Sequence, residues 1–363
     1  KMPRIIISDT LRAAKRGERH SHFNKALLDR LGEILERGEQ AMLFQNRRGF
    51  SPYVECTECG RVIECPHCNV ALTYHRQDNS LRCHYCGYHQ PMPNHCPSCH
   101  VADVTLRGFG TEKVEEELAK IFPQASIDRL DRDSATSQTA YNQIIHRFES
   151  GATDILIGTQ MITKGFDFSQ VRVVGILNAD NLLSTPDFRA SERAFQLMMQ
   201  VAGRAGRRND RGRVIIQTSQ PKHPVIQQVA SGDYRAMALT ELTERKAFCY
   251  PPYSHLTRIL IRHTDYNILH RAAHALGDTL RQKFGSRIMG PVSSSLEMLR
   301  GEHRAEILLK IEAGASMQRA RTLLRQALDN YDTKNEYKGI KIDYVINYCN
   351  CRNDDRSYHL SSM

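Results

Sequence analysis

Four CxxC pairs crowd one stretch of this chain: Cys56/Cys59, Cys65/Cys68, Cys83/Cys86 and Cys96/Cys99. Each pair is a knuckle that can place two sulfurs on one metal, and a tetrahedral Zn²⁺ needs two knuckles. Four knuckles therefore predict two closed zinc centres, each held by four thiolates. Thiolates select zinc or an iron–sulfur cluster over magnesium or calcium. The regular pairs, with Gly60 and Gly87 in the knuckles, favour zinc ribbons, and an iron–sulfur cluster is the alternative. The pairing is less fixed. Cys68 and Cys83 are separated by 14 residues, near the ribbon spacing of about 15–20. Only five residues separate Cys59 from Cys65, a tight closure. Nesting satisfies both spacings: Cys56, Cys59, Cys96 and Cys99 hold one zinc, and Cys65, Cys68, Cys83 and Cys86 the other. His67, His84, His95 and His100 flank the knuckles and are read as neighbours of the ligands, since four thiolates already fill each site. A closed site leaves no position for a hydrolytic water. The expected role is rigidity, because so few apolar residues would not fold this segment without metal.

Two other segments carry phosphate chemistry. In the first, the apolar run Ile155-Leu156-Ile157-Gly158 leads into Thr159, Gln160, Lys164, Gly165 and Asp167. Such a loop can set N–H groups and a hydroxyl beside nucleic-acid phosphates while Gly165 and Asp167 face a nucleotide. In the second, Gln200-Val201-Ala202-Gly203-Arg204-Ala205-Gly206-Arg207 closes a helix that begins after Pro186. Arg204 and Arg207, three apart, are expected to share a helical face and reach a γ-phosphate across a cleft, as arginine fingers do. The bland reading is a basic helix end facing solvent.

The elements that must position these groups fall into three textures. Apolar spacing predicts a helix and then a strand within 22–50, the strand being Ala41 to Gln45. Helices are expected over 111–121, 137–150, 187–206 and 222–230, and strands over 126–131, 154–159, 171–177 and 213–218. That alternation implies a parallel α/β sheet, with residues 51–107 inserted after its first strand. Beyond Cys249-Tyr250-Pro251-Pro252-Tyr253, strands at 256–263, 290–297, 304–311 and 340–346 and helices at 266–284 and 315–331 spell βαββαβ, a small ferredoxin-like α+β domain. The expected division is a segment 1–21, an α/β lobe of 22–50 and 108–243, a two-zinc insertion at 51–107, an α+β domain at 244–346 and an unpacked tail at 347–363.

The chain has 363 residues, 40% hydrophobic and 25% charged, with net charge +10. An excess of Lys and Arg favours polyanionic partners through counterion release, or is simply a basic soluble surface. No apolar run approaches the roughly 18 residues of a membrane span, and the N-terminus lacks the core of a secretion signal. The expectation is a soluble cytoplasmic monomer. Lys1 precedes Met2, which reads as a fragment or an engineered boundary.

QVAGRAGR resembles motif VI of superfamily-two helicases, GTQMITKGFDF their motif V, and Phe44-Gln45-Asn46-Arg47-Arg48-Gly49 their motif IV region. Together with Pro186-Asp187-Phe188-Arg189-Ala190-Ser191-Glu192-Arg193, the cysteine insertion and the YPPY segment, residues 20–345 resemble the primosomal replication-restart helicases, the primosomal protein N′ (PriA) family. The resemblance implies the second RecA-like lobe of a 3′-to-5′ DNA helicase acting at stalled or branched forks in primosome assembly. Its partners would be branched and single-stranded DNA, single-strand-binding protein and other primosome proteins. It implies two zincs on the eight cysteines, ATP with Mg²⁺ contacting Gly165, Asp167 and Gln200, finger roles for Arg204 and Arg207, and DNA beside Thr159, Gln160 and Lys164. No GxxxxGK[ST] segment occurs, so the phosphate-binding lobe is expected upstream of Lys1 and this chain is expected to be inactive alone. The alternatives are a non-enzymatic zinc-ribbon adaptor for nucleic acid and, less favoured, an RNA helicase.

Overall fold

A computed structural model describes residues 3–46, 53–75, 78–100, 104–107, 111–131, 134–163, 168, 170–206, 212–299, 301–332 and 337–346. The chain opens with β1 (Arg4–Asp9), α1 (Thr10–Lys15) and a two-residue ladder of β2 (Arg19–His20) and β3 (Phe23–Asn24). Then come α2 (Lys25–Leu35) and β4 (Gln40–Phe44). The cysteine region holds β5 (Tyr53–Cys56), β6 (Thr73–His75), β7 (Ser80–Arg82), β8 (His89–Pro91) and β9 (Val104–Arg107). After it follow α3 (Thr111–Ile121), β10 (Ile127–Leu130), α4 (Gln138–Glu149), β11 (Ile155–Gly158), a 3-10 turn (Gln160–Thr163) and β12 (Val171–Ile176). The α/β region ends with α5 (Asp180–Leu183), α6 (Ala190–Ala202), β13 (Arg213–Thr218), α7 (Pro224–Ser231) and α8 (Tyr234–Ala247). The last region is β14 (Ser254–His263), α9 (Tyr266–Phe284), β15 (Ile288–Leu299), β16 (Glu302–Glu312), α10 (Met317–Asp332) and β17 (Lys341–Ile346).

The chain divides into two compact units. The first holds residues 1–64, 70–80 and 91–241; the second holds 65–69, 81–90 and 242–363.

The first unit is built on a six-stranded sheet in the order β1-β13-β12-β4-β11-β10, every pair parallel. Its central strands are largely apolar because helices cover both faces. Met42 and Phe44 enter the core with α4 and α6, whereas Ala41 and Leu43 enter the opposite one with α2 and α3. Gly175 lets α2 lie close: a Cβ there would sit 2.6 Å from Leu43 Cδ2 and 3.1 Å from Leu27 Cδ1. Helices α1, α5 and α8 are not expected from the spacing, and two further elements differ in place or extent. The sheet does not begin at Ala41, because Arg4–Asp9 pairs in parallel with Arg213–Thr218 as an edge strand; the short run Ile5-Ile6-Ile7 has too little periodicity to declare itself. The helix expected over 187–206 is Ala190–Ala202, with Gly203 as its C-cap.

In the second unit the antiparallel sheet runs β15-β16-β14-β17. With α9 and α10 on its apolar face, this is the βαββαβ arrangement expected from the order of elements. Among the described residues no helix is long and apolar enough to cross a membrane.

Candidate metal centres and α/β-lobe loops

The sulfurs of Cys56, Cys59, Cys96 and Cys99 lie within 4.8 Å of one another, and so do those of Cys65, Cys68, Cys83 and Cys86. In the outer group Cys56–Cys99 measures 3.6 Å and Cys59–Cys96 3.7 Å. In the inner group Cys65–Cys86 is 3.6 Å. Four sulfurs about 2.3 Å from a tetrahedral zinc stand about 3.8 Å apart, so both groups fit the ion. Neither group contains a histidine. His84 Nδ1 lies 3.0 Å from Ser293 O, and His67 meets the Tyr88 ring edge-on.

The knuckles are shaped for thiolates. Glu58 and Cys59 N–H donate to Cys56 Sγ, Ser98 N–H to Cys96 Sγ, Tyr85 N–H to Cys83 Sγ and Tyr88 N–H to Cys86 Sγ, each at 3.4 Å. Without metal, burial pushes the Cys59 thiol up to about 12. Burial also pushes Cys96 up, but N–H donors from Cys99 and Ser98 and the neighbouring sulfurs outweigh it and bring that thiol down to about 7. Metal loading must therefore displace protons.

The parallel sheet carries its loops at one edge, the carboxyl ends of the strands, where open α/β folds bind ligands. Thr159 follows β11 and is buried, its N–H reaching Leu130 O at 3.4 Å. Gln160 opens the 3-10 turn and is half-buried. Gly158 admits that turn, since a Cβ would lie 2.2 Å from Ile162 Cγ2. The turn packs on α6, so Thr159 and Gln160 share this edge with the segment after α6. Gln200 is exposed in the last turn of that helix. Arg204 lies beyond it, half-buried, its N–H bonded to Val201 O at 3.0 Å. Gly206 has φ +67° and donates to Val171 O at 3.0 Å. Arg204 therefore lies beyond the helix on which it was expected, which ends two residues before it, because Gly203 caps it and Gly206 turns the chain left-handed. Arg207, Lys164, Gly165 and Asp167 lie outside the described residues, as do Arg47, Arg48 and Gly49.

Sequence reasoning passed over other groups. Asp187 is buried, accepts from Arg189 N–H at 3.0 Å and pairs with Arg193 at 2.5 Å, fixing the start of α6. Asp180 is buried beneath the turn after β13, accepting from Thr218 Oγ1 at 2.5 Å and Ser219 N–H at 2.8 Å. Burial raises its carboxyl pKa. An isolated Asp in a Leu-rich stretch gives no sequence signal for that role.

A parallel α/β lobe with these loops at its carboxyl edge, two four-cysteine groups and a βαββαβ domain define the C-terminal portion of a helicase. Three family models agree, in chain order: the PriA DNA helicase Cys-rich region over residues 65–91, the helicase conserved C-terminal domain over 108–209, and the primosomal protein N C-terminal domain over 246–344. The replication restart protein PriA of Bacillus subtilis (strain 168) is 38% identical over 95% of this chain and 43% of that protein. The one from Treponema pallidum (strain Nichols) is 42% identical over 84% of this chain and 46% of its own length. The chain belongs to the PriA family, and it spans under half the length of these two relatives. Among solved structures, RecG bound to a three-way DNA junction aligns at 12% identity and TM-score 0.36, over 69% of this chain and 23% of that one.

Proposed function

We propose that this chain is the C-terminal part of an ATP- and Mg²⁺-dependent 3′-to-5′ DNA helicase that acts at stalled or branched forks and promotes primosome assembly and replication restart. The supporting observation is the full ordered set of family regions along the chain. In this reading the second motor lobe presents Arg204 and Arg207 as fingers to ATP bound on an upstream lobe, with Gly165, Asp167 and Gln200 at the nucleotide. Thr159, Gln160 and Lys164 line the DNA. Zinc in the two cysteine groups supplies rigidity: the outer ion on Cys56, Cys59, Cys96 and Cys99, the inner on Cys65, Cys68, Cys83 and Cys86. Single-strand-binding protein and other primosome proteins are the partners of the whole cytoplasmic machine, acting as a monomer.

An arginine finger stabilises the charge on the transferring phosphoryl group and contributes roughly 10³–10⁵ in turnover. In the full-length protein Arg204→Ala should lower DNA-dependent ATPase by about that factor and leave fork binding unchanged. An unchanged turnover removes the finger role. This chain alone should not hydrolyse ATP, and adding a lobe with a GxxxxGK[ST] segment should restore activity. Hydrolysis by the chain alone contradicts the division of labour. Full zinc loading and nucleic-acid binding without ATPase in the combined protein would favour the adaptor.

A further inference from the structure

Five cations converge on a cleft that none of these roles uses. It has a volume of about 740 Å³ and lies wholly within the first unit. Its walls are α1 with the preceding Asp9, the outer knuckle at Glu58–Arg61, and the turn Ser219–His223 after β13. Arg12, Lys15, Arg16, Arg61 and Lys222 line it, against two carboxylates, Asp9 and Glu58. Glu58 is paired with Lys15. Asp9 accepts the N–H groups of Leu11 at 3.0 Å and Arg12 at 2.9 Å. Among the described residues the ion pairs leave Arg12, Arg16, Arg61 and Lys222 without a carboxylate, and all four are exposed. Like charges gathered this way repel one another and lower the free energy of any polyanion that enters.

The walls are firmly set. Gly60, at φ +70°, rests on the turn after β13: a Cβ there would lie 2.5 Å from Ser219 O. Asp180 holds that same turn from below through Thr218 and Ser219. With zinc bound, the four thiolates of the outer group would add a charge of about −2 to that wall, offset in part by the N–H donors of Glu58, Cys59 and Ser98, and the five cations still exceed it together with Asp9 and Glu58. Among the described residues the lining includes no Phe, Tyr or Trp, so it offers no platform on which bases would stack. What remains is a cluster of discrete cations on the walls of one cleft, chemistry suited to phosphates.

We propose that this cleft grips the phosphodiester backbone of a nucleic-acid strand, independent of sequence, with the outer cysteine knuckle as one wall. The proposal deepens the nucleic-acid reading above and rests on it.

The test is fluorescence anisotropy on the zinc-loaded chain, with a labelled single-stranded oligonucleotide and its duplex, between about 50 and 200 mM salt. In the triple variant Arg12→Gln/Arg61→Gln/Lys222→Gln, single-strand affinity should fall at least tenfold at about 100 mM salt. The slope of log K against log salt should shrink by about 2, at roughly 0.7 per lost phosphate contact on single strands. Zinc content and circular dichroism should stay unchanged. A control with the same charge loss elsewhere, Lys113→Gln/Lys120→Gln/Lys246→Gln, should lose little. An equal loss in both variants assigns the effect to net charge and overturns the proposal. Unchanged binding in the cleft variant also overturns it, while wild-type binding keeps the nucleic-acid reading intact. Failure of the wild-type chain to bind either oligonucleotide sinks that reading itself. Loss of duplex binding alone places a double-stranded backbone there and overturns the single-strand grip. Loss of an acidic peptide with DNA binding unchanged makes the cleft a protein site and overturns the proposal too.

Discussion

The two cysteine groups have the same four ligands and opposite surroundings. The outer group belongs to the first unit, built on the parallel α/β sheet. Cys56 ends β5, Gly60 lies against Ser219, and the exposed Cys59 opens on the basic cleft. The inner group belongs to the unit that contains the α+β domain. Tyr250 donates from its hydroxyl to Cys68 O at 2.9 Å, and its ring meets Tyr85 edge-on at 6.2 Å. Lys310 Nζ stands 3.9 Å over the Tyr250 ring and donates to Phe248 O at 2.9 Å. Gly87 closes against Val292, where a Cβ would be 3.1 Å from Cγ1. A block contiguous in sequence thus serves two folding units. One knuckle pair is an outwork of the α/β lobe and the other is a foundation of the terminal domain.

The sharpest way to break this comparison is to remove one ion at a time. Cys83→Ser should reduce zinc from two per chain to one and cost the second unit about 4 kcal/mol or more, since metal binding supplies folding free energy at such sites. Amide exchange should accelerate in β14 and β16 and stay slow in β4 and β12. Cys56→Ser should do the reverse. Equal acceleration in both units after either substitution would mean that the groups are not separately owned.

Backbone fit gives the next effect. Gly60→Ala forces a side chain into a left-handed residue 2.5 Å from Ser219 O, and should cost the outer group about 2–3 kcal/mol. Faster zinc release from that group alone, measured by competition with a chromogenic chelator, is the expected outcome. Tyr250→Phe removes the bond to Cys68 O from a buried site and should cost about 1–3 kcal/mol, read as earlier urea unfolding of the second unit. A loss confined to the first unit would contradict the contact.

Much of this architecture was legible because periodicity and spacing are local. The apolar runs at 154–159 and 213–218 become buried parallel strands, and four CxxC pairs become two four-sulfur groups. What escaped depends on distant partners. Ile5-Ile6-Ile7 becomes a strand only because β13 offers an edge. Arg12, Arg61 and Lys222 are ordinary surface cations until the fold gathers them, although they are far apart in sequence. The end of α6 at Ala202 was misjudged because Arg204 and Arg207 have helical spacing, while Gly203 and Gly206 decide the backbone. Inner-group ownership by the second unit rests on Tyr250, whose YPPY setting shows a turn but not what its hydroxyl touches.

The smallest difference between the units is acid sensitivity. His223 caps α7, its Nδ1 accepting Val225 N–H at 3.3 Å, and burial lowers its pKa from 6.5 to about 4. An unfolded chain takes up this proton below about 6.5, whereas the folded one resists it until about 4. The neutral imidazole therefore contributes stability that is present above about 6.5 and is lost as pH falls through that window. Between about pH 7 and pH 5 the first unit should lose about 1–2 kcal/mol from this group. His223→Asn keeps a capping oxygen without a titrating ring. With zinc content held constant, the difference in stability between wild type and this variant should narrow in favour of the variant as pH falls. A difference that does not change with pH would show that His223 is solvated in both states, and the acid response of the first unit would then belong to its thiolates.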